Sequence, residues 1–273
     1  MGLGCKEMHI PTSLREVFGA GEAFERIMAL EGEVFRDVRG RRTIRFESHG
    51  KSYFAKLHYG VGWGEIFKNL LTLRLPIVSA RTEWDAIHRL GEIGIPTTPA
   101  VAYGCQGTSP AALRSFIITE DLGDIVSLET LCADWANLPP DPRFKRRLIV
   151  AVAGLARRLH DHGLNHRDFY LCHLCLDRQQ LAGGEIRPYL IDLHRVGIRA
   201  SIRPADRMKD IAALYFSAMH CGLTRRDLLR FLKYYRPQAL RKTLLDDADL
   251  WQKVSARAER LYLKFHGKMP VTN

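Results

Sequence analysis

The chain has 273 residues, 46% hydrophobic and 26% charged, enough for two lobes with a sizeable core and ordinary for a soluble globular protein. No run approaches the roughly 18 apolar residues of a membrane-spanning helix, the N-terminus lacks the apolar core of a secretory signal, and Lys6 stands where a myristoylation signal needs Ser or Thr. The net charge of +11 is uneven: residues 222–273 carry twelve Lys and Arg against five Asp and Glu, a field that attracts anionic lipid, acidic protein or nucleic acid. Six irregularly spaced cysteines fit a reducing compartment better than a disulfide framework. Cys172-His-Leu-Cys175 has zinc-like spacing, but no second such pair closes a tetrahedral site, so free thiols are expected there.

Residues 12–30 carry apolar side chains at helical spacing (Leu14, Val17, Phe18, Phe24, Ile27, Met28) and predict a short helical arm. Residues 33–47 alternate weakly around a turn at Gly40, and a His49-Gly50 turn leads into Lys51–His58. Tyr53, Ala55 and Leu57 should face one way, Phe54 and Lys56 the other. A three-stranded antiparallel sheet therefore opens the chain, with Lys56 late in its third strand. Gly60-Val-Gly62-Trp-Gly64 lacks a full Gly-x-Gly-x-x-Gly and follows the lysine strand, so it reads as a connection, and residues 65–76 as a core helix with a basic edge. Residues 82–91 predict a helix with Trp84, Ile87 and Leu90 inward, Glu83 in its first turn and Gly91 as its stop. Two more strands follow at 95–104 and 114–123, the second ending in the acidic link Glu120-Asp-Leu-Gly-Asp124, where a lobe boundary is expected.

After 124 the pattern turns helical. Residues 128–135 read as a helix, Pro139–Pro142 as a break, and Arg143–His162 as a long helix with a Leu148, Ile149, Val152, Leu155, Ala156, Leu159 stripe stopped by Gly163. The loop Asn165–His173 comes next, then a hairpin returning through Pro188–Ile191 to Asp192. A helix over 203–219 contains Asp210. A basic helical tail over 223–266 has Leu250, Val254, Leu261 and Phe265 on its apolar face.

A strand lysine, an exposed loop aspartate and a second aspartate ending a buried strand occur in the order by which kinases hold phosphates, base and metal. Lys56, His166-Arg167-Asp168 and Ile191-Asp192 resemble the protein-kinase-like superfamily. The resemblance narrows to the lipopolysaccharide core heptose(I) kinases through HRDFYLCH (166–173), LIDLHRV (190–196), RMKDIAALYFSA (207–218), EGEVFRDVRGRRT (31–43) and HYGVGWGEIFKNLLTLRLP (58–76). It implies an α+β bilobal protein-kinase-like fold, with a small antiparallel-sheet N-lobe over residues 1–124 and a mainly helical C-lobe over 125–273. The implied reaction is ATP-dependent phosphorylation of heptose I of the lipopolysaccharide inner core at the cytoplasmic face of the inner membrane.

Under that resemblance Asp168 is the catalytic base, Arg167 and His166 hold its loop, Asp192 binds Mg2+, and Asp210 ties the loop base to a helix. Lys56, steadied by Glu83, neutralises phosphate; the backbone at Glu120 meets adenine, and the turn at Gly40, with arginines on either side, covers phosphate. Protein kinases carry a second metal-binding Asn five residues after the base. Here that place holds His173, a poor magnesium ligand.

Only 17 residues separate Asp192 from Asp210, too few for a peptide-docking activation segment, so a glycan or other small hydroxyl acceptor is favoured over protein. The basic tail is read as meeting anionic inner-membrane lipid or an acidic protein such as acyl-carrier protein. No stacking pattern or reader motif points to nucleic acid. Open beside the heptose reading stand a related kinase for Kdo or another hydroxyl acceptor, and a nucleotide-binding pseudokinase scaffold.

Overall fold

The computed structural model describes residues 5–19, 21–38, 40–60, 79–109 and 111–269. The readings for residues 61–78, including most of the Gly60–Gly64 stretch, and for Arg39 fall outside them. Two compact units emerge: Met1–Arg89, Thr98–Leu122 and Leu193–Arg195 make one, and Leu90–Thr97, Gly123–Asp192 and Val196–Asn273 the other.

The first unit is built on a six-stranded antiparallel sheet. It contains β1 (Cys5–His9), α1 (Thr12–Phe18), α2 (Ala23–Met28), β2 (Glu33–Val38), β3 (Arg41–Ser48), β4 (Lys51–His58), most of α3 (Arg81–Glu92), β5 (Ala100–Gly107) and β6 (Arg114–Glu120). The strand order is β1-β5-β6-β4-β3-β2. The chain thus opens on an edge strand that alternation did not reveal: β1 has one half-buried and four exposed residues, and it is held by pairing with β5 and by an ion pair between Glu7 and Arg81. In β4 the expected alternation appears, with Tyr53, Ala55 and Leu57 buried and Phe54 and Lys56 half-buried. The buried face meets Leu14, Phe18, Ile27 and Met28 of the helical arm in one core with Ile44, Phe116 and Ile118. Each such side chain contributes roughly 1.5–3 kcal/mol, so the arm is integral and covers the sheet face opposite Lys56.

Helix α3 runs past Gly91. Its stop is Gly94, at φ +67, where the N–H of Ile95 bonds to the Leu90 carbonyl and that of Gly94 to the Gly91 carbonyl. This paired closure needs a left-handed residue at position 94, and the buried Leu90 and Ile95 at its two ends select the second glycine over the first.

The second unit is mainly helical. It holds β7 (Ile125–Ser127), α4 (Leu128–Cys132), α5 (Pro142–Asp161), β8 (Leu164–Asn165), β9 (Leu174–Asp177), α6 (Arg178–Ala182), β10 (Tyr189–Leu190) and β11 (Gly197–Ile198), then α7 (Pro204–Ala218), α8 (Arg225–Tyr235), α9 (Leu240–Asp246) and α10 (Ala248–His266). Pro142 does not only break the chain: it occupies the first turn of α5, where a proline costs no hydrogen bond, behind the cap that Asp141 makes on the amides of Arg143 and Phe144. Gly163 ends α5 at φ +78, where a Cβ would lie 2.0 Å from the Arg199 carbonyl oxygen. That close approach lets β8 pair with β11 directly before the loop at 166–173.

The buried stripe of α10 is Val254, Ala258 and Tyr262, at strict four-residue spacing. Leu250 and Leu261 are only half-buried, and Phe265, expected inside, is 77% exposed. An apolar cavity of about 210 Å³ in this unit is lined by Leu148, Val152, Leu214, Leu228, Phe231 and Trp251, with Cys132 and Cys221 at its wall. All six cysteines are free thiols.

Candidate active site

Lys56 lies in β4 opposite Thr43 of β3 and Ile117 of β6, a central strand with partners on both sides. Its Nζ donates to Glu83 Oε1 at 2.6 Å, with the lysine side chain 28% and the glutamate 3% exposed. Glu83 Oε2 is buried and has no hydrogen-bond partner among the described residues. Arg41 pairs across the sheet from His58, two residues beyond Lys56 and on the same face. His58 is buried, and its pKa falls to about 3 because burial, then Arg41, Lys56 and His194 all oppose a further positive charge. Arg41, Lys56 and His194 thus all act on the buried His58 ring and hold it neutral.

In the second unit the loop is fixed from beneath by Asp210 of α7. Its Oδ2 accepts the His166 amide at 2.6 Å and its Oδ1 the Arg167 amide at 2.8 Å. His160 Nε2 approaches Asp210 Oδ2 at 3.4 Å, while Nδ1 meets the Tyr235 hydroxyl at 2.6 Å. Burial holds His160 and His166 below the usual imidazole range, so both rings are neutral near pH 7. Neutral His166 donates from Nε2 to the Ile191 carbonyl at 3.0 Å, which ties the Asp168 loop to the residue before Asp192. Among the described residues, Arg167 (φ +72) and Asp192 (φ +61) are two of three non-glycine residues in the left-handed region, the third being His49 (φ +50) in a surface turn. Such backbone costs of order 1 kcal/mol or more and persists only where the surroundings impose it.

The Asp168 carbonyl accepts the Tyr170 amide at 2.9 Å and His173 Nδ1 at 2.7 Å. His173 Nε2 stands 3.5 Å from Asp192 Oδ2. Burial pulls the pKa of His173 down, but Cys172, the Asp168 carbonyl and the Asp192 carboxylate outweigh it and raise the value to about 9. The ring therefore favours its protonated form beside the Asp192 carboxylate.

The chain also matches a family model. Residues 25–235 fit that of the lipopolysaccharide kinase (Kdo/WaaP) family. The chain belongs to this family. It is 48% identical over 249 residues to the lipopolysaccharide core heptose(I) kinase WaaP of Pseudomonas aeruginosa, covering 91% of this chain and 93% of that one. The Escherichia coli K12 protein of the same name is 48% identical over 241 residues, 88% of this chain and 91% of that one. A solved structure of WaaP in complex with acyl carrier protein superposes with a TM-score of 0.82 at 41% identity, covering 94% of this chain and 99% of that one.

As in other members of the Kdo/WaaP family, the fold is α+β and protein-kinase-like, with an antiparallel sheet and many helices. Among the residues singled out from sequence, Lys56 and Glu83 meet in one unit, and His166, Arg167, Asp168, His173 and Asp192 gather in the other. Gly40 is at φ +80, and its carbonyl accepts the Tyr59 amide. At Glu120 the amide bonds to the Pro99 carbonyl, the Asp121 amide to that of Ser52, and the Glu120 carboxylate faces Lys51 at 3.4 Å.

Sequence reasoning passed over His58, His160 and His194. His58 lies two residues from Lys56 on the same strand face, so alternation already placed it beside that lysine. His160 stands on the α5 stripe, where it reads as core; only the fold brings it to Asp210.

Proposed function

We propose that this chain phosphorylates heptose I of the lipopolysaccharide inner core with ATP as phosphoryl donor. The observation that carries the reading is 48% identity, over about nine-tenths of the chain, to two core heptose(I) kinases. Asp168 accepts the proton of the sugar hydroxyl as its oxygen attacks the γ-phosphorus and the bond to the β-phosphate oxygen breaks. Lys56, held by Glu83, takes up phosphate charge, with Arg41 adding to the field at the Gly40 turn. The amide after Asp121, that of Leu122, meets the adenine edge in place of the occupied Glu120 amide.

The donor chemistry fits magnesium through oxygen: Asp192 offers a carboxylate on a constrained backbone, oriented by His173. When bound, the ion would supply positive charge against the phosphates. Asp192 is its protein ligand, while His173 remains a hydrogen-bond donor. His166 and Arg167 position the loop through their amides on Asp210 and the His166 bond to Ile191.

Among the described residues no helix is long and apolar enough to cross a membrane. The basic tail supports peripheral attachment at the cytoplasmic face of the inner membrane, through charge that weakens with salt. The same charge, and the WaaP structure solved with acyl carrier protein, support an acidic carrier protein as partner.

The test is phosphate transfer from ATP and Mg2+ to unphosphorylated, heptose-containing core, with Asp168→Ala in parallel. Transfer to the first heptose that disappears in the variant upholds the reading. A folded protein that binds ATP and transfers nothing to the core moves it to another acceptor or to a pseudokinase.

A further inference from the structure

An unbroken series of aromatic rings leads away from the catalytic loop of the second unit. Tyr170 lies two residues from Asp168, and the bond of its amide to the Asp168 carbonyl folds it back beside that residue. Its ring is 6.2 Å from that of His173, the neighbour of Asp192, and 6.0 Å edge-on from Phe216 of α7. Phe216 lies in turn 6.1 Å from Phe265 and 6.3 Å from His266, at the end of α10. Ser217 fixes the junction by accepting the Leu171 amide at 3.0 Å. His266 stacks on Tyr262 at 4.2 Å, with 30° between the planes.

Burial falls along this series. Tyr262 is in the core, Tyr170 and Phe216 are half-buried, His266 is exposed and Phe265 is 77% exposed. Phe265 packs into no core, and its ring, continuous with the half-buried Phe216, presents a flat apolar surface to solvent. Arg260 and Lys264 of α10 and Lys268 just after it are all solvent-exposed.

We propose that Tyr170, Phe216, Phe265 and His266 form the platform on which the acceptor oligosaccharide lies, its sugar rings stacked on the aromatic faces and its acidic groups set against the basic end of α10. A sugar ring presents polarised C–H groups on one face and hydroxyls at its rim. The negative face of an aromatic ring takes the former and leaves the latter for hydrogen bonding and reaction. Continuity from the base outward is what an acceptor longer than one sugar requires, and the local positive charge complements an anionic glycan. The platform rests on the kinase reading, because that reading supplies the glycan, and it names the residues that select it. Tyr170 is thereby a positioning residue, not a catalytic one.

The experiment uses the full chain with Phe265→Ala, Phe216→Leu and Phe265→Trp, on deacylated core oligosaccharide and on intact lipopolysaccharide. Expected for Phe265→Ala is an acceptor KM raised about tenfold, with kcat and the KM for ATP unchanged, a further rise when Phe216→Leu is added, and near-complete recovery in Phe265→Trp. An unchanged KM for the deacylated oligosaccharide overturns the platform. So does a defect confined to acylated substrate, which assigns these rings to the lipid surface instead. Calorimetric binding of the oligosaccharide without ATP separates the two readings: weaker binding by Phe265→Ala upholds the platform even if wild type transfers no phosphate, whereas no binding by wild type overturns it.

Discussion

Asp210 holds the amide of Arg167 at 2.8 Å while Arg167 sits in left-handed backbone at φ +72. The carboxylate also takes the His166 amide and is fully buried, so one side chain fixes the entry to the loop at 166–173. Asp210→Ala would orphan two buried amides, each costing about 1–3 kcal/mol, and free a strained turn to relax. Urea unfolding should show a loss of roughly 3 kcal/mol or more. In whatever fraction stays folded, kcat should fall by at least tenfold with little change in the KM for ATP. Unaltered stability would mean that the loop is held elsewhere.

The two loop aspartates should fail differently. Replacing a general base costs typically 10²–10⁴ in rate, so Asp168→Asn should lose kcat to that extent while binding Mg-ATP as wild type does. Asp192→Asn should lose the magnesium dependence of nucleotide binding itself. Fluorescent-nucleotide titration with and without magnesium separates the two. Equal nucleotide binding by both variants, with and without the ion, would remove the metal role from Asp192.

Asp168 and Asp192 stand out in the sequence because each adjoins its own marker: Asp168 follows His166-Arg167 after a glycine-stopped helix, and Asp192 ends an apolar run. Lys56 and Glu83 were legible for the same reason, strand alternation placing one and a helix start the other. The rest depended on contacts between distant segments. β1 carries four exposed residues and is a strand only because β5 offers an edge. The α3 stop moved from Gly91 to Gly94 because burial of Ile95, not glycine alone, decides where the closure forms. Phe265 is apolar by type yet outside, and no periodicity distinguishes a residue kept for packing from one kept for binding.

Glu83 is the more buried partner of the Lys56 pair, at 3% against 28% exposed. Removing one member of a buried pair costs more than the pair contributes, about 3–5 kcal/mol where burial is complete. Lys56→Met should therefore destabilise the chain by up to a few kcal/mol, since it strands the Glu83 carboxylate, and raise the KM for ATP. Glu83→Gln keeps the shape and an acceptor, so it should cost about 1 kcal/mol and shift nucleotide affinity only a few-fold. Thermal melts with nucleotide titration check both. Equal losses in the two variants would contradict the assignment of Glu83 as the costly partner.

The β3–β4 turn holds His49 at φ +50 and Gly50 at φ +71 between the paired residues Ser48 and Lys51. A two-residue turn with both φ positive favours Asn-Gly. His49→Asn should raise stability by a few tenths of a kcal/mol, a gain of about 1–2 °C in Tm, with kinetics unchanged. A lower Tm would mean that the exposed histidine makes a contact worth more than the turn preference.

Below pH 6.5 stability should decline through three buried histidines whose pKa the fold lowers: His166, His58 and His160. His58 faces Arg41, Lys56 and His194, and burial together with these cations lowers its pKa to about 3. His160 faces Asp210, Arg207, Asp161 and the Tyr235 hydroxyl, and burial outweighs the pull of Asp210 to lower its pKa too. All three rings stay neutral in the folded chain and take up a proton when it unfolds below about pH 6.5. Their stabilising effect is therefore full above that value and is lost as pH falls toward the folded pKa. For His58 the loss between pH 7.5 and pH 5 is about 2 kcal/mol. His173, raised to about 9, acts in the opposite sense: its contribution is full below pH 6.5 and disappears as pH rises through 9, so it adds no slope in the acid window. Urea unfolding of wild type and His58→Gln at pH 7.5, 6.0 and 5.0 measures the effect. The variant should show a shallower acid slope, by up to 1.4 kcal/mol per pH unit. Parallel slopes would mean that His58 is protonated in the folded chain, and that the charge beside Lys56 is larger than a neutral imidazole allows.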